Sequence, residues 1–217
     1  MITAREANDW LFEQKCCALV RALEKRHFTA VYCATSGEAA AYVLREAESA
    51  RSVGFGGSYT IAGLGVQEKL AAAGKVIYNH GTPGLTPEEK VSVMNAELTC
   101  DLFLSGTNAV TADGVLVNID GNGNRVAALS YGPKKVIVAV GRNKIVEGGV
   151  EAAIARVKRV AAPANAKRLE RATPCSATGF CADCDSPQRI CHVTTLIDSK
   201  PGRADFHVLV INEDLGL

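Results

Sequence analysis

Two hydrophobic patterns alternate along the first half of the chain. Apolar residues recur at helical spacing in four segments, which predicts helices at residues 5–26, at residues 36–49, in a stretch ending at residue 73, and at residues 86–99. Short apolar runs between them predict strands at residues 31–33, 53–56, 75–78 and 101–104. Strands and helices joined by short connections predict an α/β fold with a mostly parallel central sheet and helices on both faces.

The pattern changes between residues 108 and 141. An apolar run at residues 115–119 follows the turn signal Ala112-Asp113-Gly114, and a second glycine-rich turn precedes residues 125–130. We interpret this stretch as hairpin extensions laid on the sheet before residues 135–140 return as a buried strand. The next helix, over residues 147–161, is expected to end before Pro163.

Residue usage divides the chain into two parts. Residues 1–172 are predicted to form the α/β domain, and residues 173–217 a cysteine-rich segment that returns to the main domain as a final strand. The chain of 217 residues is 47% hydrophobic and 22% charged, which excludes a wholly disordered protein. Its net charge of +1 gives no electrostatic footprint for nucleic acid.

The first nine residues lack the apolar region of a secretory signal, and no run reaches the length of a membrane-spanning helix. We therefore expect a cytoplasmic protein that does not bind membranes. In a reducing compartment, clustered cysteines indicate a metal site or a catalytic group rather than disulfides. The oligomeric state is left open, and a homo-oligomer is compatible with the sequence.

Position separates the eight cysteines into two sets of four. One set lies within predicted helices and strands and is expected to be buried as small apolar residues: Cys16, Cys17, Cys33 and Cys100. The other set has the spacing C-x5-C-x2-C-x6-C in a polar segment and predicts a metal site: Cys175, Cys181, Cys184 and Cys191. Zinc and an iron–sulfur cluster both fit four thiolates, and the spacing favours neither.

A glycine-rich turn at residues 54–60 follows a predicted strand and opens a predicted helix. Free backbone N–H groups at such a turn can bind a phosphate or carboxylate, so Gly54, Gly56, Gly57 and Ser58 are candidate ligand-binding residues. A tight turn with Ser58 as the helix N-cap explains the same residues equally well.

A second set of candidate residues lies in polar loops between residues 105 and 125. Turns alone explain its Asn, Asp and Gly content, but they do not need Arg125, whose guanidinium matches a carboxylate or phosphate. We predict a pocket lined by Asn108, Asn124 and Arg125, with Asp113, Asp120 and Arg125 as candidate catalytic residues. Further candidates for its lining are Lys134, Lys135, Arg142 and Lys144.

Four of these segments together resemble one protein family. They are the glycine turn, residues 105–114, the Gly-Asn-Gly-Asn-Arg run at residues 121–125, and Val-Gly-Arg-Asn-Lys-Ile-Val at residues 140–146. The chain resembles the LUD (lactate-utilisation) domain family over nearly its whole length. This resemblance implies a fold like that of the sugar-phosphate isomerase and CoA-transferase class.

The resemblance also affects the choice of cofactor. It is closest to a short subgroup with a similar cysteine-rich tail, for which an iron–sulfur role is implied, so we expect a 4Fe-4S cluster, with zinc as the alternative. Other LUD proteins belong to systems that oxidise lactate to pyruvate together with iron–sulfur partners.

The resulting hypothesis is an iron–sulfur protein in the redox metabolism of a small organic acid, with a small anionic metabolite and a redox protein as partners. One alternative is a non-redox isomerase or transferase with a structural zinc or iron–sulfur site. Another is a ligand-binding accessory module. Whether the chain is itself an enzyme or assists an oxidoreductase is left open.

Overall fold

A parallel sheet of six strands forms the centre of the computed structural model, which describes residues 2–217. Every neighbouring pair in this sheet is parallel. The strands lie in the order β1 (Thr29–Cys33), β10 (Asp205–Ile211), β7 (Lys135–Gly141), β4 (Leu102–Gly106), β2 (Ser52–Phe55) and β3 (Val76–Tyr78).

Helices cover both faces of this sheet, which confirms the predicted α/β architecture. On one face, apolar side chains of the sheet pack against α2 (Ser36–Glu46), α3 (Tyr59–Ala62) and α4 (Gln67–Ala72). The opposite face packs against α1 (Ala4–Lys25) and α6 (Asn124–Ser130), with α5 (Pro87–Glu97) beside α6.

A second sheet of four strands packs on the α1 side. Its order is β8 (Ile145–Val146), β5 (Ala109–Thr111), β6 (Leu116–Asp120) and β9 (Val193–Ile197). Successive residues of β6 point to opposite faces. Leu116 joins the core against the central sheet, whereas Val117 and Ile119 pack against α7 (Gly149–Arg156).

The prediction of hairpin extensions laid on the central sheet is confirmed for β5 and β6, which form an antiparallel hairpin whose Val110 and Leu116 pack on that sheet. It is wrong for the residues after the second turn, which form α6 because Gly123 takes a positive φ of 85° and directs the chain into a helical turn. Val126 and Leu129 of α6 are buried at helical spacing.

The predicted end of the helix before Pro163 is also wrong. After α7 the chain continues through a π-helical turn, Val157–Ala161, into α8 (Ala162–Arg168). In this wider turn the N–H of Ala162 donates to the carbonyl of Val157, five residues earlier. The turn places Pro163 in the first turn of α8, where a missing N–H is tolerated.

The last 45 residues contribute to both sheets. They contain the short helix α9 (Pro174–Thr178), the cysteine-rich loop, β9 and β10. β10 lies between β1 and β7, and its residues Phe206–Ile211 are buried. Among the described residues, no helix combines the length and apolar character needed to cross a membrane.

Candidate functional site

A cavity of about 730 Å³ opens at the carboxyl ends of β2, β3 and β4. The chain leaves β2 toward α3 on one face of the sheet, and it leaves β4 toward the second sheet on the other face. The diverging connections create a crevice between the strand ends, which is where α/β sheets bind ligands. The cysteine-rich segment and α8 complete the wall of the cavity.

Positive charge dominates this cavity. Among the described residues that line it, Asp120 is the one acidic side chain. Six basic side chains line it: Lys90, Arg125, Lys144, Arg168, Arg171 and Arg189. The Arg168 guanidinium lies 4.5 Å from the centre of the Tyr59 ring, which holds this charge at the wall. A ligand that carries negative charge matches this lining.

Arg125 is at the centre of the predicted pocket, but its N–H groups are occupied by the protein. Nε donates to Asp120 at 2.9 Å, and the two Nη atoms donate to the side-chain oxygens of Asn118 and Asn108 at 2.6 and 2.9 Å. The same Nη atoms also donate to backbone carbonyls of β4 and β6 at 3.3 and 3.2 Å. All five N–H donors are used to hold the two sheets together. Arg125 therefore contributes positive charge to the cavity but has no free N–H group to offer a ligand.

The two candidate carboxylates lie in different places. Asp120 lines the cavity, where Oδ1 accepts from Arg125 and Oδ2 accepts from the N–H of Val126 at 3.2 Å. Asp113 is not brought to the cavity, because the β5–β6 turn points toward the end of α1 and pairs Asp113 with Arg26 at 2.7 Å. The catalytic role of Asp120 stays a prediction.

The glycine turn contributes three of its four candidates to the cavity, namely Gly56, Gly57 and Ser58. Gly54 lies below it, where a Cβ would come within 2.9 Å of the Cys100 sulfur, so close packing requires glycine there. The Ser58 hydroxyl accepts from the N–H of Ile61 at 3.4 Å, as an N-cap does. Ligand binding by this turn stays a prediction.

Asn108 and Asn124 both line the cavity. The side-chain oxygen of Asn108 accepts from the N–H of Ile119 at 3.0 Å and from Arg125, so it positions the loop after β4. The Nδ2 atom of Asn124 is buried and has no partner within the described residues. An unpaired buried donor at a cavity wall is a group that a ligand oxygen can satisfy.

Lys144 is the one further lysine candidate that reaches the cavity. It follows β7 and is 4% exposed, and its Nζ donates to Thr60 at 2.7 Å and to the carbonyl of Thr107 at 3.3 Å. Burial, together with the charges of Arg156 and Arg125, lowers the pKa of Lys144 to about 7. Within residues 2–217 no carboxylate forms an ion pair with it.

The other basic candidates from the sequence lie elsewhere. Lys134 pairs with Asp101 at 2.7 Å, and Arg142 pairs with Asp214 at 3.2 Å. Lys135 pairs with Glu46 and Asp205 near the start of β7. These three side chains stabilise the fold away from the cavity.

His80 is a cavity residue that the sequence analysis missed. It follows the edge strand β3, and its ring pairs with the buried carboxylate of Glu97 on α5, with Nδ1 and Oε1 2.8 Å apart. The available signal was its position, two residues after the end of a strand and directly before Gly81. The partner Glu97 is 17 residues away and could not be recognised from spacing.

All four tail cysteines line one small pocket of about 20 Å³. Cys181 is exposed, and Cys175, Cys184 and Cys191 are half-buried. Arg189 orders this loop, donating to the carbonyls of Cys191 and Cys184 at 3.0 and 2.7 Å. Within residues 2–217 no group of three or more Cys, His, Asp or Glu side chains has the spacing to hold a single metal ion.

The other cysteines are scattered through the helices and strands. Cys16, Cys33 and Cys100 are buried, as expected, and Cys17 is half-buried. Burial raises the pKa of the Cys16 and Cys33 thiols to about 11 and that of Cys100 to about 12. These three side chains are neutral, apolar parts of the core at neutral pH.

The cysteine pocket and the basic cavity share part of their walls. Arg189, Ile190 and Cys191 line both, as does Ala162 of α8. Cys191 therefore lies at the boundary between the cysteine pocket and the cavity.

Comparison with known proteins identifies the family. The LUD domain model matches residues 17–211. Among five solved chains that match is the crystal structure of a DUF162 family protein from Deinococcus radiodurans, covering 93% of this chain and 98% of that one, with a TM-score of 0.55 and 14% identity. This likeness shows a shared fold, and no curated protein matches. The match over most of the sequence confirms the resemblance, and the chain belongs to the LUD domain family.

Proposed function

We propose that this protein holds an iron–sulfur cluster on Cys175, Cys181, Cys184 and Cys191 and acts in the redox metabolism of a small organic acid, as in lactate utilisation. The acid would bind in the basic cavity, and a redox protein would exchange electrons with the cluster. The observation that carries this proposal is the wall shared by the cysteine pocket and the cavity at residues 189–191.

The donor set supports a cluster. Four thiols surround one small pocket, and thiolates are the ligands that iron–sulfur clusters use. A single tetrahedral ion needs its ligands at one short distance, about 2.3 Å for zinc and sulfur. A four-iron cluster binds each thiolate through a different iron and so needs them farther apart. The four thiols line one pocket, so they lie together on one site, as the ligands of a single cluster must.

The charged residues around the thiols also support a cluster. Four thiolates give a four-iron cluster net negative charge, and the pocket is lined by Lys158 and Arg189. Both side chains also contact Asp183, at 3.4 and 3.2 Å, which ties the loop to the helical segment that carries Lys158. These two basic side chains would offset part of the negative charge of a bound cluster.

The cluster, when bound, supplies an electron-transfer centre. The residues of the chain supply the rest. The four cysteines are its ligands, Arg189 positions two of them through their backbone carbonyls, and the basic wall binds the carboxylate of the acid.

The first test is anaerobic purification followed by determination of iron, acid-labile sulfide and zinc. We expect about four iron and four sulfide per chain and an electron paramagnetic resonance signal after reduction. Zinc without sulfide in the freshly isolated protein would refute the redox proposal. Organic acids are then added to the reduced protein, and the signal should change, because the acid binds beside the cluster.

A matched pair of variants locates the cluster. Cys181→Ser should lose most of the iron and sulfide, because one ligand is removed. Cys17→Ser should retain both, because Cys17 lies on α1 and outside the cysteine pocket. Equal iron and sulfide contents in the two variants would contradict the assignment of the ligands.

A further inference from the structure

His80 has a fixed orientation at the edge of the cavity. The Glu97 Oε1 atom accepts a hydrogen bond from the backbone N–H of His80 at 3.1 Å and lies 2.8 Å from its Nδ1. With Glu97 as a carboxylate, which has no proton to donate, Nδ1 is the donor in the second contact. The neutral imidazole therefore carries its proton on Nδ1 and has a free lone pair on Nε2.

The Nε2 atom lies next to the glycine turn. A Cβ at Gly57 would be 3.4 Å from Nε2, and both residues line the cavity. Gly57 has a φ of 67°, which favours glycine, so no side chain stands between the ring and the turn. Within residues 2–217 no protein group forms a hydrogen bond with Nε2. The ring thus offers one acceptor to whatever occupies the cavity.

The carboxylate of Glu97 is buried, and its hydrogen bonds are made with His80. It is 1% exposed, its contacts through Oε1 are with His80, and its Oε2 has no hydrogen-bond partner in the described chain. Burying a carboxylate costs several kcal/mol unless it is paired. A carboxylate behind an imidazole orients the ring and stabilises the positive charge that forms when Nε2 takes up a proton.

We propose that His80 is the general acid–base residue of this cavity, with Glu97 as its positioning residue, and that the ligand is an organic anion with a hydroxyl group. The carboxylate of the ligand binds to the basic wall, and its hydroxyl donates to Nε2. In the transfer the O–H bond breaks, the electron pair stays on oxygen, and the proton forms an N–H bond with Nε2. The choice of an organic acid rests on the proposed function, whereas the His80–Glu97 geometry does not.

The test compares malate, both enantiomers, with succinate, which has the same charge and lacks the hydroxyl. Calorimetric titration of the full chain should show one malate enantiomer binding about tenfold more tightly than succinate, the effect of one hydrogen bond to a polarised acceptor. His80→Leu should abolish this preference while changing the succinate affinity by less than about twofold. A preference that survives in His80→Leu, or a wild-type protein without any preference, would overturn the proposal.

Chemical modification tests the role of Glu97. Diethyl pyrocarbonate, followed by peptide mass spectrometry, should acylate His80, and the preferred malate should protect it more than succinate does. His207 is the internal control, because Tyr42 and Asp205 occupy its two ring nitrogens at 2.8 Å. Glu97→Gln keeps the shape of the side chain and should change the acylation rate of His80 severalfold. The melting temperature of the variant should stay within a few degrees of the wild-type value. An unchanged rate would refute the positioning role.

Iron and sulfide are measured in the same samples, which separates the two proposals. Protected His80 in a protein without sulfide refutes the redox function and supports the acid–base site. A complete cluster with unprotected His80 refutes the acid–base site alone.

Discussion

Replacing Lys144 with methionine should change how the stability of the protein depends on pH. The ammonium is buried at the cavity wall, donates to Thr60 and Thr107, and has no carboxylate partner in residues 2–217. Methionine has a similar length and no charge. The variant loses two hydrogen bonds, which lowers its stability by the same amount at every pH, and it no longer buries a charge.

The magnitude follows from the pKa. Lys144 has a pKa of about 7 in the folded chain against an ordinary value of 10.5. Each unit corresponds to about 1.4 kcal/mol, so burying this charge costs about 5 kcal/mol below pH 7, where both states are protonated. Above that pH the unfolded chain binds more protons than the folded chain, so the cost falls as pH rises and vanishes above about pH 10.5.

The assay is urea unfolding of both proteins at pH 6 and pH 9. The free energy of unfolding of the wild type, relative to that of Lys144→Met, should increase by roughly 2 to 3 kcal/mol between these values. Lys69→Met is the control, because Lys69 is exposed on α4 and its replacement should give parallel curves. Parallel curves for Lys144→Met would refute the reasoning that Lys144 is buried as an uncompensated charge.

An added anion extends the same test. Succinate bound beside Nζ compensates the buried charge, so at pH 6 it should stabilise the wild type more than Lys144→Met. Equal stabilisation would show that the anion binds away from Lys144.

Three other substitutions test the framework around the site. Arg125→Lys keeps the charge and loses the planar fork, so urea unfolding should show a loss of about 3 kcal/mol. Asp101→Asn should lose about 2 kcal/mol at pH 7 and less below pH 4, because the hydrogen bond from Lys134 holds the pKa of Asp101 far below its ordinary range. Gly132→Ala should lower the melting temperature by more than 4 °C, since its Cβ would overlap the Leu98 carbonyl at a φ of 125°. A loss below 1 kcal/mol in Arg125→Lys would contradict the first of these predictions, and a loss in Asp101→Asn that does not depend on pH would contradict the second. An unchanged melting temperature of Gly132→Ala would contradict the third.

Local patterns account for the parts of the fold that were predicted correctly. Buried parallel strands are short apolar runs and their helices have apolar stripes, so the alternation of β1 to β4 with α1, α2 and α5 is visible in the sequence. The two errors arose where local signals compete with tertiary structure. A glycine turn before residues 124–130 is compatible with a hairpin or a helix, and Pro163 ends a helix unless a π-helical turn precedes it.

The candidate site was predicted less completely, for a related reason. Composition and spacing were sufficient to single out the four tail cysteines, the glycine turn and the Asn108–Arg125 loops. They did not reveal that Asp113 pairs with Arg26, that the Arg125 donors are already occupied, or that His80 faces the cavity. Asp113 and His80 have partners that are distant in the chain, and the Arg125 partners are nearer but meet only where the loops of β4 and β6 fold together.

The sequence by itself determined the alternating elements, the division of the cysteines and the family. These features depend on periodicity, residue type and motifs that are contiguous in the chain. Only the tertiary structure decided that His80, Lys144 and Cys191 line one cavity. Strand order brings the ends of β2, β3 and β4 together, and the tail passes over them before β9 and β10 join the two sheets. Hydrophobic packing between distant segments sets that arrangement, and no local pattern contains it.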